Sequence, residues 1–192
     1  SALSDSSWQV RERAVTILSG LKDKTLLSAF QKVIKEDVSY KTVAAAAKAL
    51  GLIGTQEAVD ILLALAQEAS WQQTLTQSSL IGLSYAQDER ILPLALKYAA
   101  PGNSKYVRSD AIALLGARAK GNQQALEYLQ AALAEKNISL NYSAIAALSE
   151  MNDSSSKEIL EKFSKRSDLD ASLQNYVNYV LEQLNQQQRK AG

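Results

Sequence analysis

The sequence predicts an all-α fold, an α-α superhelix (solenoid) of about five helical pairs closed by a final helix. Two observations predict it. First, six short polar residues, Ser7, Ser39, Ser70, Ser104, Asn137 and Asp170, recur at intervals of 32, 31, 34, 33 and 33 residues. Second, apolar residues follow most of these origins at offsets of three, seven and eleven, which fall on one helical stripe. Offset three holds Val10, Thr42, Gln73, Val107, Leu140 and Leu173; offset seven holds Ala14, Ala46, Gln77, Ala111, Ala144 and Val177; offset eleven holds Leu18, Leu50, Ile81, Leu115, Leu148 and Leu181. A fixed period of this length marks stacked helical repeats, in which each unit completes its core only against its neighbours.

Within each unit a first helix starts after the origin, whose side-chain oxygen suits an N-cap. It ends near Ser19, Gly51, Gly82, Gly116 or Ser149. Glycine there serves either a left-handed helix end or a close helix approach, and the sequence leaves the two open. Short polar links such as Gly54-Thr55-Gln56 follow, and then second helices at Thr25 to Ile34, Gln56 to Ala66, Asp88 to Ala99, Asn122 to Leu133 and Ser156 to Phe163. Ala58, Ile61, Leu62 and Leu65 make the apolar stripe of one of them. Pro93 falls near a helix start, where its missing N–H costs little. Pro101-Gly102-Asn103 reads as a loop between units, because the repeat resumes on schedule beyond it. The sixth unit is a single helix ending near Leu184, so residues 1–185 read as one solenoid domain and 186–192 as a polar, frayed tail. Too few residues precede Ser7 to cover the first unit, and the expectation is a domain excised from a chain that extends N-terminally.

Composition excludes several chemistries. Hydrophobic residues make up 46% and charged residues 21% of the chain, as in a folded protein, and its formal charge of +1 argues against a phosphate-coating role. The chain has no Cys and no His, so thiolate chemistry, Ser-His-Asp catalysis and a His-Glu-x-x-His zinc helix are all impossible within it. No Gly-x-Ser-x-Gly elbow or Gly-x-x-x-x-Gly-Lys phosphate loop occurs. No apolar run approaches the roughly 20 residues of a membrane span, and the N-terminal residues do not form a signal peptide. Catalytic, cofactor-binding and metal-ligating residues are therefore expected to be none.

The remaining candidates each have a structural reading. Asp168 and Asp170 could start a hard-metal site but lack further oxygen ligands nearby, so capping of the last helix is preferred. Trp8, Tyr40, Trp71 and Ile138 follow their origins directly, with Tyr106 one residue later; we read them as anchors packed between helix layers rather than a stacking ladder. Arg11 and Arg108 share offset four, where solvated or inter-repeat salt-bridging use is preferred to lining a binding groove. Asp60, Glu127 and Glu158 sit early in second helices, where the helix dipole favours them. Asn137, Asn141 and Asn152 open Asn-x-Ser tripeptides, weak as signs of secretion in so serine-rich a chain.

The segments Ser39 to Gly51 and Tyr106 to Gly116 resemble HEAT-type repeats, and that likeness covers nearly the whole chain. More narrowly, Asp37 to Tyr40, Ser70-Trp71 with Leu80 to Leu83, and Asp88 to Leu94 with Tyr98 to Gly102 resemble the C-terminal helical repeat domain of zinc aminopeptidases of the aminopeptidase N family. That resemblance implies a non-catalytic module packed on an upstream catalytic part and shaping substrate access, with any zinc held upstream and no cofactor in this chain. The alternative is a free-standing protein-interaction scaffold. Expected partners are upstream domains of the same polypeptide or a protein or peptide, with neither nucleic acid nor membrane.

Overall fold

A computed structural model of the protein describes residues 2–70 and 73–191. Among them every regular element is helical and no strand occurs, as the periodicity requires. The chain divides into two compact units, Ser1–Ile91 and Leu92–Gly192.

The first unit holds α1 (Trp8–Ser19), α2 (Leu27–Glu36), α3 (Tyr40–Ile53), α4 (Gln56–Leu65) and α5 (Thr74–Leu83). Its core is Val15, Phe30, Leu50, Leu62, Leu80 and Leu83, all at most 1% exposed. The second unit holds most of α6 (Ile91–Ala99), then α7 (Lys105–Arg118), α8 (Gln123–Ala134), α9 (Ile138–Met151), α10 (Ser154–Ser164) and α11 (Ala171–Ala191). Ile112, Leu115, Leu129, Leu140, Ile145 and Leu160 are fully buried there. In both units first helices pack on first helices, α1 on α3 and α3 on α5, then α7 on α9 and α9 on α11.

The glycine ambiguity resolves toward close approach. α3 continues past Gly51 to Ile53 and ends at Gly54, which takes the left-handed conformation at φ 64°; α9 ends likewise at Asn152, with φ 45°. Gly51 and Gly82 instead lie where α3 and α5 touch backbone to backbone. A Cβ on Gly51 would collide with the Gly82 carbonyl, and one on Gly82 would stand 2.5 Å from the Ala47 carbonyl oxygen. Gly116 plays the same part between α7 and α9, where a Cβ would meet the Ala147 Cα at 3.1 Å.

Helix starts depart from the simple capping rule. Asn137 and Asp170 do cap, accepting from Leu140 N at 3.2 Å and Leu173 N at 2.9 Å. Ser7, Ser39 and Ser104 hold the N-cap position without a side-chain cap bond. At two of these starts the acid two residues earlier is bonded instead: Asp5 accepts from Ser7 N and Asp37 from Ser39 N, each at 2.8 Å. A carboxylate placed there fixes the entering turn and leaves an oxygen for another partner.

The second helices match expectation within two or three residues at most ends. Asp88 lies outside α6, bonded to the Arg90 N–H at 2.9 Å, and Pro93 falls in the first turn of that helix. Lys24–Leu26 forms a 3₁₀ turn before α2. Pro101-Gly102-Asn103 is a turn inside the second unit, with the Asn103 amide donating to Lys97 O at 2.9 Å. α11 runs through Ala191, beyond the end expected near Leu184, because Gln and Asn on its exposed side do not oppose helix.

One stripe is misread by sequence. In α5 the buried residues are Thr76, Ser78, Ser79, Leu80, Gly82 and Leu83, while Ile81 is 40% exposed. The helix starts four residues after Ser70, so offsets counted from that origin fall on the wrong side. Its buried hydroxyls are satisfied: Thr76 Oγ1 donates to Ala66 O at 3.0 Å and Ser79 Oγ to Leu62 O.

Two stability outcomes follow from this packing. Leu115→Ala, at a fully buried site, should destabilise the chain by roughly 2 to 5 kcal/mol in denaturant titration, against about 0.5 kcal/mol or less for Lys120→Ala in an exposed turn. Gly51→Ala should cost about 1 to 3 kcal/mol despite alanine's better helix propensity, since two backbones must part to admit one methyl group. An unchanged urea midpoint for Gly51→Ala would contradict the contact.

Candidate interaction surfaces

Offset four of the first helices forms a series of polar stitches. In α1, Arg11 grips Asp37 with Nε at 2.6 Å and Nη2 at 2.8 Å, and its Nη1 donates to Asp5 O at 2.8 Å and Ser6 O at 3.1 Å. The Arg11 bond holds the Asp37 carboxyl below its ordinary range, even against the cost of partial burial. In α7, the buried Arg108 pairs with Glu135 at 2.6 Å and reaches Ala99 O at 3.4 Å. Both acids stand two residues before the next origin, so each ion pair ties a first helix to the end of its own repeat, and Arg108 reaches the preceding repeat through Ala99 O. Asn141 and Gln174, at the same offset, donate to Ala132 O at 2.9 Å and Ser164 O at 3.0 Å, satisfying carbonyls at the ends of α8 and α10. Arg11 and Arg108 thus form ion pairs with acids of their own repeats, and the bond that crosses between repeats is that from Arg108 to Ala99 O.

Asp170 caps α11, and Asp168 binds Arg166 at 2.7 Å. The acids expected at the helix dipole are each the fifth residue of α4, α8 and α10, past the first turn, and find side-chain partners instead: Asp60 pairs with Arg90 at 2.8 Å, Glu158 with Lys162 at 2.7 Å, and Glu127 accepts from the Gln123 amide at 3.4 Å. Asn137 caps α9 and Asn141 is buried in its stitch, so both tripeptides are occupied by structural work.

The aromatic positions after the origins differ from expectation. Tyr40 is 41%, Tyr106 58% and Ile138 53% exposed, and Trp8 is half-buried; Trp71 lies outside the described residues. They are not core anchors, because the first helical residue stands about 120° around the helix from the buried stripe. Lys41 sits 4.8 Å over the Trp8 ring and Lys48 5.2 Å over that of Tyr85. Those lysines rim a shallow groove on the outward side of α1 and α3, with Glu12, Thr16, Ala44, Ala45 and Ile81.

The outward side of the second unit has a different character. Ser109 Oγ of α7 and Ser143 Oγ of α9 lie 2.7 Å apart, and the Tyr142 ring of α9 meets Tyr176 of α11 at 5.0 Å with a 47° tilt. Asp110 is half-buried beside Ser109, and burial pushes its carboxyl up to about 6.

A third surface is the free side of α1. Val10 is 42% and Ile17 63% exposed on that helix, and Leu21, in the turn just after it, is 65% exposed. Val107, Leu140 and Leu173, equivalent to Val10, are at most 3% exposed; Ala49, Leu114, Ala147 and Val180, equivalent to Ile17, are at most 5%. α11 by contrast turns Asn175, Asn178, Glu182 and Asn185 to solvent. Sequence reasoning had no signal for the tyrosine and serine face.

Asp110 yields a pH prediction. A carboxyl raised from 3.8 to about 6 on folding contributes stability that is whole below pH 3.8 and is lost as pH rises through 6. Asp110→Asn should therefore raise stability at pH 8, by up to about 3 kcal/mol, and change it little at pH 4. Denaturant midpoints at the two pH values check this, and equal effects at both would contradict the burial cost.

Comparison with protein-family models matches residues 1–83 and 92–174 to HEAT repeats. Among solved structures, the complex of CpcE and CpcF of phycocyanin lyase from Nostoc sp. PCC7120 is similar, at TM-score 0.66 and 21% identity over 82% of this chain and 99% of that one. A designed armadillo repeat protein in complex with peptide (KR)4 is similar at TM-score 0.55 and 18% identity, covering 94% of this chain and 95% of its own. A structure concerning microtubule plus end tracking by XMAP215, CLIP-170 and EB1 gives TM-score 0.51 and 18% identity, with 95% and 88% covered. At such identities the likeness is one of fold. No curated protein matched the sequence.

Proposed function

Because the chain belongs to the HEAT-repeat family, we propose that it is a non-catalytic protein-interaction scaffold. The observation that carries this reading is the free face of α1. Val10 and Ile17 of α1 and Leu21 just beyond it expose apolar surface, although the places of Val10 and Ile17 are buried in α7, α9 and α11, while the α11 end is polar. Apolar surface aligned on one helix is a docking feature in a repeat array, whose end units are otherwise capped by polar residues. Two structural relatives point the same way: one is a complex of two subunits of a lyase and another is bound to a peptide. The chain's lack of His and Cys fits a scaffold better than a catalyst.

A more specific reading keeps the aminopeptidase N resemblance. There the chain is the C-terminal helical module of a zinc metallopeptidase, and the α1 face packs on the upstream catalytic part, which alone would hold zinc. The same face favours it, since α1 is where an upstream segment would enter. A His-Glu-x-x-His motif upstream in the reading frame would support this version, and an unrelated upstream sequence would leave the general scaffold.

Hydrogen exchange tests the docking face. An uncapped end loses one interface of stabilisation and should open first. Residues 8–34 of the isolated chain should exchange faster than residues 106–133, and a bound partner or native upstream sequence should slow them. Equal protection of the two stretches in the isolated chain would show that the α1 face needs no cover and would sink the proposal.

A further inference from the structure

The outward stripes of α7, α9 and α11 comprise positions 106, 109, 110, 113 and 117, then 139, 142, 143, 146 and 150, then 172, 175, 176, 179 and 183. None is Lys or Arg, in a chain that has 21 of them. The equivalent stripes of α1 and α3 carry Arg13, Lys41 and Lys48, and there Lys41 and Lys48 cover the rings of Trp8 and Tyr85. The first unit thus supplies cations to its own aromatic surface. In the second unit Ser139 and Ala146 occupy the places of Lys41 and Lys48, and no cation lies over Tyr142, Tyr176 or Tyr179 among the described residues. Only Tyr106, at the edge, is covered, by Lys105 at 5.1 Å.

The charge on this face is also uncompensated. Arg118 lies near enough to Glu150 for their charges to interact, so that acid has a partner. Asp110 makes no hydrogen bond or ion pair among the described residues, although it is half-buried. It adjoins Ser109, which meets Ser143, and Ser143 adjoins Tyr142, which meets Tyr176. One carboxylate and a row of uncovered tyrosine faces thus run across three packed helices. A guanidinium is the side chain that suits both, since it stacks flat on an aromatic ring and pairs with a carboxylate through parallel N–H donors. Tyrosine and serine on a rigid support, with little charge, also make up the binding surfaces of antibodies, which hold polypeptide at low entropic cost.

We propose that the outward face of α7, α9 and α11 docks a polypeptide segment presenting arginine, which stacks on Tyr142, Tyr176 and Tyr179 and pairs with Asp110. This deepens the scaffold reading and rests on it, but it uses a different surface from α1.

The probe is a fluorescein-labelled octapeptide of alternating arginine and serine, titrated by anisotropy against the full chain at physiological salt, beside a counterpart with glutamate for arginine. Only the arginine peptide should bind. Tyr179→Ala, which trims a side chain 58% exposed and so spares the fold, should weaken binding roughly 3- to 30-fold, and Asp110→Asn should do the same. Lys41→Ala and Lys48→Ala should leave it unchanged. No binding by the wild-type chain, equal binding of both peptides, or full binding by both second-unit variants would overturn the proposal. Displacement of the peptide by single-stranded RNA in preference to unlabelled peptide would overturn it too. None of these results touches the α1 exchange experiment, so the scaffold reading fails or survives separately.

Discussion

Close approach of first helices is the constraint on which the rest of the structure depends. α3 and α5 meet at Gly51 and Gly82 with backbone against backbone, and α7 meets α9 at Gly116 and Ala147. Helices that near one another leave room only for small residues on the shared ridge. This explains why Ala46, Ala47, Ala49, Ala111, Ala144 and Ala147 are buried in positions where larger side chains would force the layers apart. The large apolar side chains then fall between first and second helices, where Phe30, Leu62 and Leu129 fill the second layer.

Once the layers are that tight, little water reaches the helix ends, and their unpaired carbonyls need protein donors. Offset four provides them. Arg11, Arg108, Asn141 and Gln174 differ in charge and length, yet each spends donors on backbone carbonyls near a helix end, and the two arginines add a carboxylate from the end of their own repeat. A change at this position would leave buried acceptors or acids without partners, a cost larger than the worth of an exposed ion pair. The pairs therefore hold the turn that leads into the next first helix more than they add net stability.

The packing also decides which surfaces remain for binding. With offsets three, seven and eleven turned inward, the outward stripe of each first helix is free to vary, and the two units use it differently. One presents lysines already engaged with its own aromatics, the other tyrosines and serines without cations. The apolar face of α1 is a third case, since Val10 and Ile17 obey the core pattern of the repeat and yet stay exposed. Function in such a protein resides in these departures from the repeat, and the shared fold does not identify a partner.

The sequence by itself determined the helical class, the repeat length, most helix positions and the inward stripe of α3, α7, α9 and α11. It could do so because apolar periodicity is a local record of which side of a helix is buried. Tertiary structure alone decided the use of the glycines, because helix ending and close packing leave the same residue in the same place. Tertiary structure decided the register of α5 as well, where buried Thr76 and Ser79 imitate a polar face until the carbonyls that satisfy them are seen. It decided, finally, that Tyr40 and Tyr106 lie at the surface and that Asp110 stands partly buried without a partner, since burial depends on what neighbouring helices cover.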